Sequence, residues 1–185
     1  VHQKINYFLL ILSACFAGIG FLGALGGPKV KKITISTNNV PQELDDMTII
    51  QISDLHVGPT IRQFYVDRVV KLANAANPDF IVVTGDLADA TAESIEQHLE
   101  PLARLEARHG IYYVTGNHEY YWGIEGWLDK VKQLGFQPLI NEHKVIHANG
   151  INILIAGVTD HIGGHFHHSH KPNIEKALQS DEITQ

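Results

Sequence analysis

The sequence has one cysteine in 185 residues, Cys15, so no internal disulfide framework can support a fold. It also lacks a basic excess. The formal net charge of −6 argues against a nucleic-acid backbone as the main partner. Charged residues make up only 18% and hydrophobic ones 44%, which excludes a disordered or low-complexity chain. No internal repeat is evident. Two local absences carry more information. No acidic residue precedes Ile33, and no charged residue of either sign lies between Lys4 and Lys29. From Ile33 on, ten basic side chains face twenty acidic ones. A domain so acidic needs positive charge from elsewhere to handle anionic phosphates, and bound metal ions are the obvious source.

The uncharged run Ile5–Gly27 has 23 residues. At ~1.5 Å per residue a helix of that length reaches about 35 Å, enough to cross a hydrocarbon core of ~30 Å. Tyr7 and flanking lysines suit the two interfaces. Ala14 and Gly18, then Gly23 and Gly27, place small residues four apart, a spacing that lets another membrane helix approach. A signal peptide is the rival reading. Its apolar core is usually ~7–15 residues and ends at an A-x-A site, which is missing here. The expectation is a retained transmembrane anchor over residues 1–28, in a bacterial inner or cytoplasmic membrane. Three lysines after the run against one before it would put the following domain in the cytoplasm, but the side is left open.

Residues 29–185 read as one α/β domain. Lys29–Ser36 alternates apolar and polar residues and predicts a strand. Short apolar runs predict strands at Met47–Ile52, Phe80–Val83 and Ile111–Val114. Helical spacing covers Ile61–Ala76, Thr91–Ala107 with a break at Pro101, and Ile124–Leu134. Asn149-Gly150 between two apolar runs predicts a hairpin, Lys144–Ala148 with Ile151–Ala156. Apolar strands alternating with helices imply a largely parallel sheet, with ligands beyond the carboxyl ends of its strands.

Three of those ends carry polar residues of one chemical type: Asp54 and His56, then Asp86 and Asp89, then Asn117, His118 and Glu119. Asp54 and Asp86 are 32 apart and Asp86 and Asn117 are 31 apart, each one strand–helix crossover. An extended backbone would point Asp54 and His56 to the same side. Carboxylate, amide and imidazole donors suit Zn, Mn or Fe. Gly85 and Gly116 leave room for tight turns.

The motifs Asp54-Leu55-His56 (D-x-H), Gly85-Asp86-Leu87-Ala88-Asp89 (G-D-x-x-D) and Gly116-Asn117-His118-Glu119 (G-N-H-E) resemble those of the calcineurin-like metallophosphoesterase superfamily. The membrane helix ahead of them resembles its membrane-anchored bacterial branch. The resemblance implies the N-terminal half of a four-layer α/β/β/α sandwich preceded by one transmembrane helix. It implies two divalent metal ions, Mn, Fe or Zn. Asp54 and His56 would bind the first, Asp86 would bridge both, and Asn117 would bind the second. It further implies that His118 acts on the phosphate as a catalytic residue rather than a ligand, with Asp89 orienting it. Glu119 gets a supporting role at most, and no substrate-binding residue is assigned.

Two later motifs of such enzymes, a separate His and a G-H-x-H, are not found. With Val1 at the start and a polar end at Gln185, their absence leads to the expectation of a domain incomplete at its C-terminus, and of a piece inactive alone. Residues 161–170 hold five of the twelve histidines and read as a surface loop with some metal affinity, a substrate-contacting loop, or the missing ligands. The expected function is metal-dependent hydrolysis of phosphate esters or pyrophosphates, on a phosphorylated small molecule or lipid-linked substrate at a membrane. The alternative is a non-catalytic membrane metal-binding or sensor module using the 161–170 segment.

Overall fold

The computed structural model describes residues 2–24, 26–37 and 40–180. Val1, Leu25, residues 38–39 and residues 181–185, which the sequence reading counts within the anchor and the domain, lie outside the described residues. The chain divides into two compact units at Lys32 and Ile33.

The first unit is one helix, α1 (His2–Ala24), rich in Leu, Ile, Phe and Ala and free of proline. Its segment Gln3–Phe21 is long and apolar enough to cross a membrane. Large apolar side chains such as Phe8, Leu10 and Phe16 are exposed along it. Pro28 follows the helix, where it can no longer interrupt the hydrogen-bond ladder.

The second unit runs through β1 (Ile49–Ile52), α2 (Gln63–Ala75), β2 (Phe80–Thr84), α3 (Glu96–Leu99), β3 (Ile111–Val114), α4 (Asn117–Tyr121), α5 (Ile124–Gln133), β4 (Gln137–Pro138), β5 (Glu142–Ala148), β6 (Ile151–Gly157), α6 (Gly163–Phe166) and α7 (Ile174–Leu178). Strands β1 to β4 form a parallel sheet in that order, with Ile49 opposite Phe80, Ile81 opposite Ile111 and Tyr112 opposite Gln137. Strands β5 and β6 pair antiparallel around Asn149-Gly150. Both turn residues have positive φ, 53° and 85°, as a two-residue hairpin with the right twist requires.

The larger core lies on one face of the parallel sheet. There Val66, Val70 and Ala73 of α2, Leu99, and Trp127 and Val131 of α5 pack with Ile81, Val83 and Tyr113. On the other face Phe80, Tyr112 and Leu139 meet Ile146, Ile153 and Ile155 of the hairpin. The layering is helices, parallel sheet, hairpin. It is the mixed α/β architecture with an apolar N-terminal helix that the motifs imply.

Two expected elements differ. Lys29–Ser36 forms no strand, because among the described residues it pairs with none, and alternation without a partner leaves backbone groups unbonded. The helix expected over Thr91–Ala107 shrinks to α3, which tightens into a 3-10 turn at Glu100–Arg104 around Pro101. Proline has no N–H for the i−4 bond and crowds that carbonyl, so the α ladder stops there.

Candidate metal centre

Parallel pairing points the carboxyl ends of β1, β2 and β3 the same way, and the three polar motifs sit on those ends. The pairing continues past the sheet. The N–H groups of Asp54, His56 and Val57 donate to the carbonyls of Gly85, Asp86 and Leu87 at 3.3, 3.1 and 2.8 Å, and the Asp89 N–H returns to the Val57 carbonyl at 3.0 Å. Leu55 and Val57 are buried beneath, so the D-x-H segment is pinned along the G-D-x-x-D segment.

The backbone path there is not the expected extended one. Asp54, His56 and Asp86 all have positive φ, at 55°, 46° and 52°. Left-handed backbone costs a non-glycine residue about 1–2 kcal/mol, and the flanking hydrogen bonds hold it in place. The turned path still leaves Asp54 Oδ1 3.8 Å from His56 Nε2. Ser53 donates its hydroxyl to the Asp54 carboxylate. Where the next loop approaches, Gly85 and Gly116 face each other. A Cβ on Gly85 would sit 2.1 Å from the Gly116 nitrogen.

Asp86 is the hub. Its Oδ1 accepts the His118 N–H at 3.0 Å. The Asn117 amide, turned with its nitrogen toward Asp86, donates to Oδ1 and Oδ2 at 3.3 and 3.1 Å, which turns its oxygen, the atom that can ligate an ion, away from Asp86. One ligand atom from each of His56, Asp86 and His118 lies within 4.8 Å of the other two. The His56 and His118 rings meet edge to face, centroids 4.6 Å apart. Asp89 Oδ1 accepts from His56 Nδ1 at 2.8 Å and lies 2.7 Å from His118 Nδ1. That hydrogen bond to Asp89 raises the His56 pKa above its ordinary 6.5, against burial, with further help from the Asp89, Asp86 and Asp54 charges. Oxygen and imidazole donors converging on one spot, with no thiolate, fit a divalent metal ion.

All seven polar residues singled out in the sequence therefore come to one edge of the sheet. Asp54 is the most peripheral, with a 65% exposed side chain. Glu119 has a larger part than the sequence suggested. It is fully buried, and its carboxylate accepts the N–H groups of Asp86, Leu87 and Gly116 at 3.1, 2.8 and 2.7 Å. The signal was present: a Glu at the third helical position reaches back to the N–H of the residue that caps the helix.

The histidine-rich segment is folded against α4 and α5. Phe166 packs on Tyr120 and Tyr121, at ring distances of 5.6 and 6.0 Å, and Tyr121 packs on His118 at 6.0 Å. His167 Nε2 lies 3.0 Å from Glu125, and His170 Nδ1 lies 3.1 Å from the Tyr120 hydroxyl. Among the described residues the segment contributes no group of three ligand atoms close enough for one ion. Burial first, then the neighbouring His167, hold the His170 pKa below the usual 6.5, while Glu125 opposes them. The packed form thus favours neutral His170. Its contribution is present above the usual pKa, and it is lost as pH falls through the lowered one. Hydrogen exchange over residues 159–171 is expected to quicken between pH 7.5 and 5.5, beyond the intrinsic rate change. In His170→Gln that excess should vanish, and an unchanged excess would refute the assignment.

The family model for calcineurin-like phosphoesterases matches residues 47–183. A "Transmembrane protein with metallophosphoesterase domain" from Danio rerio is 34% identical over 91% of this chain and 40% of its own length. An "Uncharacterized metallophosphoesterase" from Helicobacter pylori is 35% identical over 95% of this chain and 45% of its own length. More distantly, the "UDP-2,3-diacylglucosamine pyrophosphatase LpxG" of Chlamydia trachomatis is 28% identical over 60% of this chain and 36% of its own length. The chain thus spans less than half the length of these curated relatives. The matched region takes in all three strand-end motifs and the sheet that presents them, and on that ground the chain belongs to the calcineurin-like phosphoesterase family.

Proposed function

We propose that the protein built on this chain hydrolyses phosphate esters or pyrophosphates with two divalent metal ions, Mn, Fe or Zn, while anchored in a membrane. The observation that carries the reading is the convergence, within 4.8 Å at the ends of three parallel strands, of two ligand side chains, His56 and Asp86, with the acid His118. Asp54, His56, Asp86 and Asn117 would hold the ions. Bound there, divalent ions supply positive charge at a phosphoryl oxygen and lower the pKa of water.

The chain's own groups supply the rest. His56 gives its Nδ1–H to Asp89, so in the neutral ring Nε2 is the nitrogen available as a ligand atom. The same Asp89 oxygen lies 2.7 Å from His118 Nδ1, so the carboxylate can pair with that ring when it is protonated, and its Nε2–H would then be the proton offered to the leaving oxygen. General acid catalysis of this kind is worth about 10²–10⁴ in rate. Residues 1–28 act as the anchor, with Lys29, Lys31 and Lys32 at the interface, and residues 29–185 belong to the phosphoesterase domain. An apolar helix joined to a phosphate site, together with similarity to a protein named as a pyrophosphatase of a diacylated sugar nucleotide, favours a lipid-linked substrate.

The test uses the full-length protein and a chromogenic phosphodiester. Hydrolysis should appear with Mn²⁺, vanish on chelation and return when Mn²⁺ is restored. Activity indifferent to chelation would sink the metal-dependent reading, and none above buffer would sink the reaction.

A further inference from the structure

We propose that Glu119 is a positioning residue for the metal centre, its carboxylate locking the loop after β2 to the loop after β3 so that Asp86 and Asn117 meet. The inference rests on the metal-centre reading above. Glu119 is 0% exposed, an expensive place for a carboxyl group. Among the described residues no cationic side chain pairs with it. Its partners are three backbone N–H groups, and they are not scattered. Two belong to Asp86 and Leu87, in the loop after β2, and the third to Gly116, immediately before Asn117. One carboxylate therefore spans two loops that are 32–33 residues away in sequence for one and three for the other.

The bracing is reciprocal. Glu119 takes the Asp86 N–H, while the Asp86 side chain takes the His118 N–H at 3.0 Å. The α4 backbone and the Asp86 backbone are thus tied twice, once by each acid, and Asn117 lies between the ties. An apolar residue at 119 could fill the space but could not accept the three N–H groups. Glutamine has the same shape but only one acceptor oxygen. Three N–H donors occupy both carboxylate oxygens, two on Oε2 and one on Oε1, so an amide NH₂ must face at least one of them. A group that orients ligands in this way typically costs about 10–100-fold in metal affinity when replaced.

The experiment compares Glu119→Gln and Glu119→Asp with the parent in the full-length protein. Mn²⁺ affinity is measured on the metal-free protein by titration, and amide exchange is followed separately in the absence of metal. Glu119→Gln is expected to bind Mn²⁺ about 10–100-fold more weakly. The amides of Asp86, Leu87 and Gly116 should exchange faster, while those of α2 keep their protection. Glu119→Asp keeps the charge and both acceptors on a shorter arm. It should recover part of the affinity, and it carries the test should Glu119→Gln fail to fold. A merely structural role predicts lower thermal stability with parental Mn²⁺ affinity in the folded variants, and that result overturns the proposal. A parent that binds no Mn²⁺ overturns it together with the metal-centre reading. A parent that binds Mn²⁺ but hydrolyses no phosphoester sinks the reaction alone and leaves the affinity comparison to decide the role of Glu119.

Discussion

Asp86→Asn is expected to lower kcat/KM for a chromogenic phosphodiester by on the order of 10³ or more in the full-length protein, with little loss of folded protein. The substitution keeps volume and shape, and asparagine accepts the left-handed backbone that Asp86 adopts at φ 52°. The asparagine oxygen can still accept the His118 N–H now bonded at 3.0 Å. What changes is charge and acceptor count. The Asn117 amide now donates to both oxygens of Asp86, and one of those oxygens becomes an NH₂ that repels it. A negative charge is removed from a carboxylate that also accepts the His118 N–H of α4, among ligand types that hold divalent ions by charge. Metal ions supply several kcal/mol of transition-state stabilisation in such sites, and each ~1.4 kcal/mol is tenfold in rate. Bound Mn²⁺ should fall in parallel with rate. A variant within tenfold of the parent, with its metal intact, would remove Asp86 from the hub of the centre.

The meeting of the three polar motifs was legible in the sequence because they are local to strand ends, and strand ends are readable. Phe80–Thr84 and Ile111–Val114 are continuous apolar runs that stop at Gly85 and Gly116, as strands buried on both faces do. Asn149-Gly150 marked the hairpin by turn chemistry alone. Apart from the Thr91–Ala107 helix, cut short at Pro101, the readings that failed were those that needed a partner. Lys29–Ser36 has the period of a strand, but no neighbouring strand accepts it among the described residues. Asp54 and His56 converge, though through left-handed turns imposed by the hydrogen bonds of the next loop rather than through an extended backbone. Helix α4 has five residues, too few to show a 3.6-residue period, so Asn117 and His118 read only as the polar end of the third strand. Glu119 was the hardest to place, because two of its three bonds reach a loop 32–33 residues away. The folded histidine-rich segment was illegible for a related reason. Its anchor points, Tyr120 and Glu125, lie on other elements.

The contact between the two glycines makes the second strong prediction. Gly85→Ala is expected to destabilise the protein by on the order of 2–5 kcal/mol, through left-handed backbone at about 1–2 kcal/mol and overpacking at about 1–3 kcal/mol. Gly85 has φ +78°, and a Cβ there would lie 2.1 and 2.4 Å from the nitrogen and Cα of Gly116. Neither atom belongs to a side chain that could rotate away, so the loops after β2 and β3 must separate. Separation pulls Asp86 from the His118 N–H and the Glu119 carboxylate from the Asp86 and Leu87 N–H groups, so activity should fall further than stability alone explains. Gly116→Ala presses from the other side. Its Cβ would lie 2.2 Å from Asp86 Oδ1 and 2.6 Å from the Asp86 nitrogen. Gly126 gives the contrast within one molecule. It lies inside α5, and a Cβ there would meet nothing within 4 Å, so Gly126→Ala should stabilise by about 0.5–1 kcal/mol through helix propensity. Thermal midpoints of the three variants decide the matter. If Gly85→Ala and Gly126→Ala shift the midpoint alike, the loops do not touch, and the close approach that holds Asp86 beside Asn117 is absent.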